Sequence, residues 1–129
     1  MEFEEGAELP ELTVTPDKHL TVRYAGASGD YNPIHIDEEF AKAVGLPGRI
    51  LHGLFSMALV ARAQTEAAGG PTSLKRLAVQ FRGMGFPEQE ITVTGTVASV
   101  RDGVATVHAE ATQGGNAIIR NAEVELRLP

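Results

Sequence analysis

Gly53-Leu54-Phe55-Ser56-Met57-Ala58-Leu59-Val60-Ala61-Arg62-Ala63-Gln64-Thr65-Glu66-Ala67-Ala68 is the stretch that decides the fold. Leu54, Phe55, Met57, Ala58, Leu59, Val60 and Ala61 cover nearly every face of a helix, and long polar side chains arrive only at Arg62, Gln64 and Glu66. A helix apolar all round is a buried one. Gly69-Gly70-Pro71 ends it, since glycine closes a helix in the left-handed conformation and proline cannot continue one.

Downstream the chain reads as β-structure. Ser73 to Phe81 carries Leu74, Leu77, Val79 and Phe81. Ile91, Val93, Gly95 and Val97 alternate with Thr92, Thr94, Thr96 and Ala98; Ala105, Val107 and Ala109 alternate with Thr106, His108 and Glu110. Ala117 to Leu128 is a further long run. Arg101-Asp102-Gly103 and Gln113-Gly114-Gly115-Asn116 supply the positive φ that tight hairpin turns need. Three long strands in succession, following a helix that avoids water, predict a curved antiparallel sheet wrapped around that helix: an α+β, hot-dog arrangement in one domain spanning 1–129. Long strands leave open edges, and pairing with a second copy is a common way to cover them.

Upstream, Leu12 to Thr15 reads as a short strand. Thr15 is the expected N-cap of a helix with Pro16 at its first position and Asp17 in its first turn, running through Tyr24 and dissolving between Gly26 and Gly29. A second short helix is expected over Asp37 to Val44, stopping at Gly45.

Composition narrows the classes. The chain has 129 residues, 43% hydrophobic and 22% charged, with a net charge of −6. Such a length buries about two-thirds of the unfolded surface in one core. The acidic balance argues against a general nucleic-acid binder, which needs a basic face. The absence of cysteine excludes disulfides, thiolate metal sites and cysteine nucleophiles. Met1-Glu2-Phe3-Glu4-Glu5 is acidic where a signal peptide is basic, and no run approaches the roughly 20 apolar residues of a membrane span. A cytoplasmic setting without a membrane partner is the expectation.

Ser28-Gly29-Asp30-Tyr31-Asn32-Pro33-Ile34-His35 is the stretch that carries chemistry. An acid, an amide and an imidazole fall within six positions, between a glycine that permits a sharp turn and a proline that holds Asn32 extended. Taken singly, Asp30 reads as a turn cap and Asn32-Pro33 as a turn starter. Taken together, the octet reads as a small acid–base site. His19 and His108 have no partner cluster and read as structural; His52 reads first as a backbone-bonding residue near the helix start. A calcium loop fails, because an EF-hand needs glycine and glutamate where this chain has His35 and Ala41. A metal held by Asp30, His35 and Asp37 has no further support.

Tyr24 followed by the octet and then Ala41 resembles the signature of the MaoC-like, (R)-specific enoyl thioester hydratase and dehydratase family, and Ile50-Leu51-His52-Gly53 resembles that family's entry into its central helix. Ala27 departs from the larger aliphatic residue or glycine more usual there. The resemblance implies a hot-dog fold and the hydration of trans-2-enoyl thioesters to (R)-3-hydroxyacyl thioesters, or the reverse. It implies Asp30 and His35 as the catalytic pair and the Gly53 backbone N–H as oxyanion donor, with Asn32, Ser28 and His52 in support. No metal or cofactor is implied beyond the coenzyme A or acyl carrier protein borne by the substrate. Glycine suits the donor role, because first-turn amides of a helix lack internal partners, carry the positive end of its dipole and, without a side chain, admit a close approach. The alternatives are a hot-dog thioesterase and the catalytic subunit of a heterodimeric dehydratase; the self-sufficient form is a homodimer. Arg62, Lys75, Arg76 and Arg82 are candidates to meet carrier phosphates, against their reading as solvated surface charge.

Overall fold

In the computed structural model, which describes residues 1–129, strand β1 (Leu12–Val14) precedes helices α1 (Leu20–Ser28), α2 (Pro33–Ile36), α3 (Glu38–Ala43) and α4 (Gly53–Ala67). A 3-10 turn at Pro71–Ser73 leads into β2 (Leu74–Phe81), β3 (Ile91–Arg101), β4 (Val104–Gln113) and β5 (Asn116–Arg127). The five strands form one antiparallel sheet in the order β1-β3-β4-β5-β2. The meander β3-β4-β5 turns where expected. Asp102 and Gly103 have φ of 51° and 75°, and Gly114 and Gly115 have 58° and 80°.

Period-two alternation places Ile91, Val93, Val97, Ala105, Val107, Ala111, Val124 and Leu126 on one buried face. Register shifts between Val97 and Ser99, between Ala109 and Ala111, and between Ala78 and Gln80 bend the strands. Bulges of this kind add twist and curvature, so the sheet closes around α4. Within that hollow α4 buries Leu59, Val60 and Ala63 as part of the main core. This is the hot-dog architecture the strand pattern predicts.

Three details differ from expectation. First, α4 is not covered on every side: Leu54, Ala58, Arg62 and Glu66, four residues apart, form a stripe facing out of the chain. Leu54 and Ala58 are apolar, so composition alone reads them as core. Second, α1 starts at Leu20, and Thr15 caps nothing. Asp17 Oδ1 instead accepts from the His19 N–H at 2.8 Å, and its carboxylate takes the Arg23 guanidinium at 2.6 and 3.1 Å. Such a local side-chain bond competes with helix initiation and delays it. The Arg23 and His19 hydrogen bonds hold the Asp17 carboxyl down at about 2. Third, the helix expected over Asp37 to Val44 is preceded by a separate turn of helix, α2, and Asp37 caps α3 by accepting from the Phe40 N–H at 3.0 Å.

Candidate active site

A ladder of short-range hydrogen bonds shapes the octet. Ser28 Oγ accepts from the Asp30 N–H, Asp30 Oδ1 from the Asn32 N–H, and Asn32 Oδ1 from the Ile34 N–H, each at 3.2 Å. Each side chain bonds the backbone two residues on, the habit of Ser, Asp and Asn in turns. Gly29 opens the ladder at φ 78°, its N–H closing α1 on the Ala25 carbonyl. Asn32 is extended (φ −54°, ψ 127°), as Pro33 requires, and caps α2. Ser28 and Asn32 therefore set the path of the loop, and Asp30 spends one oxygen on it.

The other oxygen faces the histidine. Asp30 Oδ2 lies 3.8 Å from His35 Nε2, with the His35 side chain 9% exposed and that of Asp30 52%. That separation exceeds a direct hydrogen bond. One small oxygen nucleophile can touch both atoms. His35 Nδ1 lies 2.8 Å from the Ile50 carbonyl oxygen. A carbonyl only accepts, so Nδ1 carries a proton, and the other ring nitrogen, Nε2, is the one that faces Asp30.

His52 reaches the same loop from the start of α4. Its Nε2–H donates to the Asp30 carbonyl oxygen at 3.0 Å, and its ring stacks on His35 at 3.9 Å between centroids, 22° from parallel. Tyr24 covers its surroundings at 4.7 Å. The backbone-bonding reading of His52 is what the geometry displays, and the bonded carbonyl is that of Asp30. Nothing local in the sequence marks that pairing, since 22 positions separate the two residues. Asp30, His35 and His52 also bring ligand-type atoms within 4.8 Å of one another. Stacked imidazoles direct their lone pairs side by side and not toward a common point, so the two rings fit a metal poorly. Asp37, engaged in capping α3, lies outside this cluster.

Gly53 is the first residue of α4, where backbone N–H groups have no partner within the helix. A Cβ at this position would lie 3.1 Å from the Phe81 ring, so glycine is what lets the end of β2 pack over the helix start. Tyr24, Ser28, Asp30, His52, Gly53, Leu54 and Phe81 line a cleft of about 270 Å³. The octet and the helix start thus meet in one concavity, with His35 behind Asp30. Leu54 and Phe81, 62% and 53% exposed, are walls that sequence reading assigned to the core and to a strand.

A family model described as MaoC like domain matches residues 2–117. The chain is 29% identical, over 99% of its length, to the fatty acid synthase beta subunit TOXC of Cochliobolus carbonum, of which it spans 6%. It is 41% identical to the peroxisomal enoyl-CoA hydratase 2 of Arabidopsis thaliana over half of its own length and 21% of that protein. The chain therefore spans a small part of these curated relatives. Among solved structures, the ChsH1-ChsH2 complex of Mycobacterium tuberculosis contains a chain of similar size: TM-score 0.87 and 29% identity, with 97% of this chain and 98% of that one aligned.

Proposed function

The chain belongs to the MaoC-like domain family, and from that premise we propose that its cleft adds water to a trans-2-enoyl thioester to give an (R)-3-hydroxyacyl thioester, or removes it in reverse. The observation that carries this reading is the 3.8 Å gap between Asp30 Oδ2 and His35 Nε2, beside the unpartnered first amide of α4. Water placed in the gap loses a proton to the pair as its oxygen bonds the β-carbon. The same pair returns a proton to the α-carbon, so hydroxyl and hydrogen add across the double bond. The thioester oxygen, which gains charge as the enolate forms, meets the Gly53 N–H; one such donor is typically worth about 3–4 kcal/mol in the transition state. Ser28, Asn32 and His52 hold the loop that carries Asp30. Coenzyme A or a carrier protein enters as part of the substrate, and the steps call for no other cofactor.

The assembly belongs to the same proposal. Leu54 and Phe81 are exposed on the open side of α4, and β2 is an edge strand. A second copy over this face would bury both and complete the walls of the cleft. The ChsH1-ChsH2 complex is a precedent for two different chains in one assembly, so the mass of the purified protein distinguishes a homodimer from half of a heterodimer. No helix is long and apolar enough to cross a membrane.

Incubation with crotonyl-CoA, followed by chiral analysis, tests the reaction. Loss of enoyl absorbance with an (R) product is the expected result. An (S) product would overturn the stereochemistry, and release of free thiol would move the chain to thioester hydrolysis.

A further inference from the structure

Phe81 ends β2 with its ring turned toward α4, and the backbone there cannot carry the ring away. Its Cα pairs with that of Ile119, and the next residue's N–H, that of Arg82, donates to the Ile118 carbonyl at 3.0 Å. Gly83 lies so close to β5 that a Cβ there would stand 2.5 Å from the Ala117 oxygen. Alternate side chains of a strand point to opposite faces. Gln80 and Arg82, on either side of Phe81, share the face turned from the ring, where the Arg82 guanidinium donates to Gln80 Oε1 at 2.7 and 3.1 Å. Asn121 Nδ2 donates to the same oxygen at 2.9 Å. The strand end is held from outside, and the ring is fixed on the cleft side.

There it stands over the first residue of α4. Its Cε1 and Cδ1 would lie 3.1 and 3.2 Å from a Cβ on Gly53, in the cleft of about 270 Å³ that Asp30 also lines. Phe81 is 53% exposed, so its ring keeps bare apolar surface beside the start of α4.

The proposed reaction divides the substrate among these walls. An oxygen accepting from the Gly53 N–H at about 2.9 Å sets the thioester carbon beside the helix start. The β-carbon must meet water held between Asp30 and His35. The α-carbon, bonded to both of these carbons, has one further in-plane bond, and the polar groups claim the other two directions. That bond is left to the apolar wall of Tyr24, Leu54 and Phe81. Tyr24 is engaged against His52 and Phe55, at 4.7 and 5.8 Å between ring centroids, whereas Phe81 packs on Gly53 itself. Hydrogen fits there; a methyl group meets the ring. We infer that Phe81 sets specificity at the α-carbon, admitting acyl thioesters unbranched at C2 and excluding their 2-methyl counterparts, an inference that rests on the reaction proposed above.

Phe81→Leu and Phe81→Ala, compared with the unaltered chain, decide the matter. kcat/KM is measured on crotonyl-CoA and on tiglyl-CoA, which differs only by a methyl group on the α-carbon. One such group in a fitted apolar pocket is worth roughly 10- to 200-fold. The crotonyl-to-tiglyl ratio is therefore expected to fall about tenfold or more in Phe81→Ala, and by less in Phe81→Leu. Comparing ratios cancels the lower intrinsic reactivity of the branched substrate and any general loss of activity. Phe81→Leu keeps an apolar contact on Gly53 and serves alone if the alanine variant does not fold. Calorimetric titration with butyryl-CoA and 2-methylbutyryl-CoA, which have no double bond to hydrate, repeats the comparison without turnover. The unaltered chain is expected to bind the unbranched thioester about tenfold or more tightly, and the variants to narrow that gap. A ratio unchanged by either substitution, or a parent that binds the two saturated thioesters equally or not at all, would overturn the inference. If neither enoyl thioester reacts, the proposed reaction fails, and the titrations alone still decide the Phe81 wall.

Discussion

The two halves of α4 do different work although both are rich in apolar residues. From Leu59 onward the helix is clamped by the sheet: Leu59 is 6% exposed, Val60 0% and Ala63 5%, and the outward stripe is closed by the Arg62–Glu66 pair. Its first turn is open, with Leu54 62% exposed and Gly53 at the edge of the cleft. The buried half holds the helix still. The open half presents backbone donors that a sheet on every side would have covered. One rigid element can therefore anchor the fold at one end and offer a site at the other, because the rigidity of the second half fixes the direction of the first-turn amides.

The largest effect should come from the loop that faces the open end. Asp30→Asn and His35→Ala are each expected to lower turnover of an enoyl thioester by about 10²-fold or more, the usual scale for a general acid or base. Asn keeps the Oδ1 bond to the Asn32 N–H and loses the charge near His35, so Asp30→Asn should unfold at nearly the same temperature as the parent. Near-full activity in either variant would remove the pair from the mechanism. A large drop in melting temperature for Asp30→Asn would make the residue structural.

The next test sets the halves against each other with the same residue type. Leu59→Ala, in the clamped half, should cost about 2–5 kcal/mol of stability by urea unfolding, through lost burial and the cavity left behind. Leu54→Ser, in the open half, should change the stability of the lone chain by no more than about 0.5 kcal/mol. Run at high protein concentration, the same Leu54 variant probes the proposed assembly. If a second copy covers this face, the assembled form should weaken while the monomer does not. Equal costs at the two positions would erase the distinction between the halves.

Legibility in the sequence followed the range of the interactions. The β3-β4-β5 meander could be read directly, because alternation and the Asp102-Gly103 and Gly114-Gly115 turns are local and each has a single structural solution. The octet was legible for the same reason: its ladder spans two residues at a time. What stayed hidden depends on distant partners. Leu54 and Leu59 are the same residue type in one helix, and only the surrounding sheet makes one a wall of a cleft and the other core. The delayed start of α1 was invisible because Thr15-Pro16-Asp17 is a fair helix start, until Arg23 and the His19 amide draw Asp17 into a turn of its own. His52 could be placed near the helix start but not on the Asp30 carbonyl, 22 positions away.

Gln64 supplies the smallest test and the most pointed one for the clamped half. It is 1% exposed, and neither its oxygen nor its nitrogen has a hydrogen-bond partner in the protein. Gly95 accommodates it, since a Cβ there would lie 2.5 Å from the amide oxygen. A buried, unsatisfied polar group typically costs about 1–3 kcal/mol. Methionine has a similar length and no strong polar atoms, so Gln64→Met should raise stability by about 1–2 kcal/mol in urea unfolding if the clamped half serves only to anchor the helix. Enoyl thioester turnover should stay unchanged, because Gln64 lies three turns from Gly53. A stability loss of that size would show that the amide is satisfied in solution, and a change in acyl preference without a stability change would extend the site into the half here assigned to anchoring.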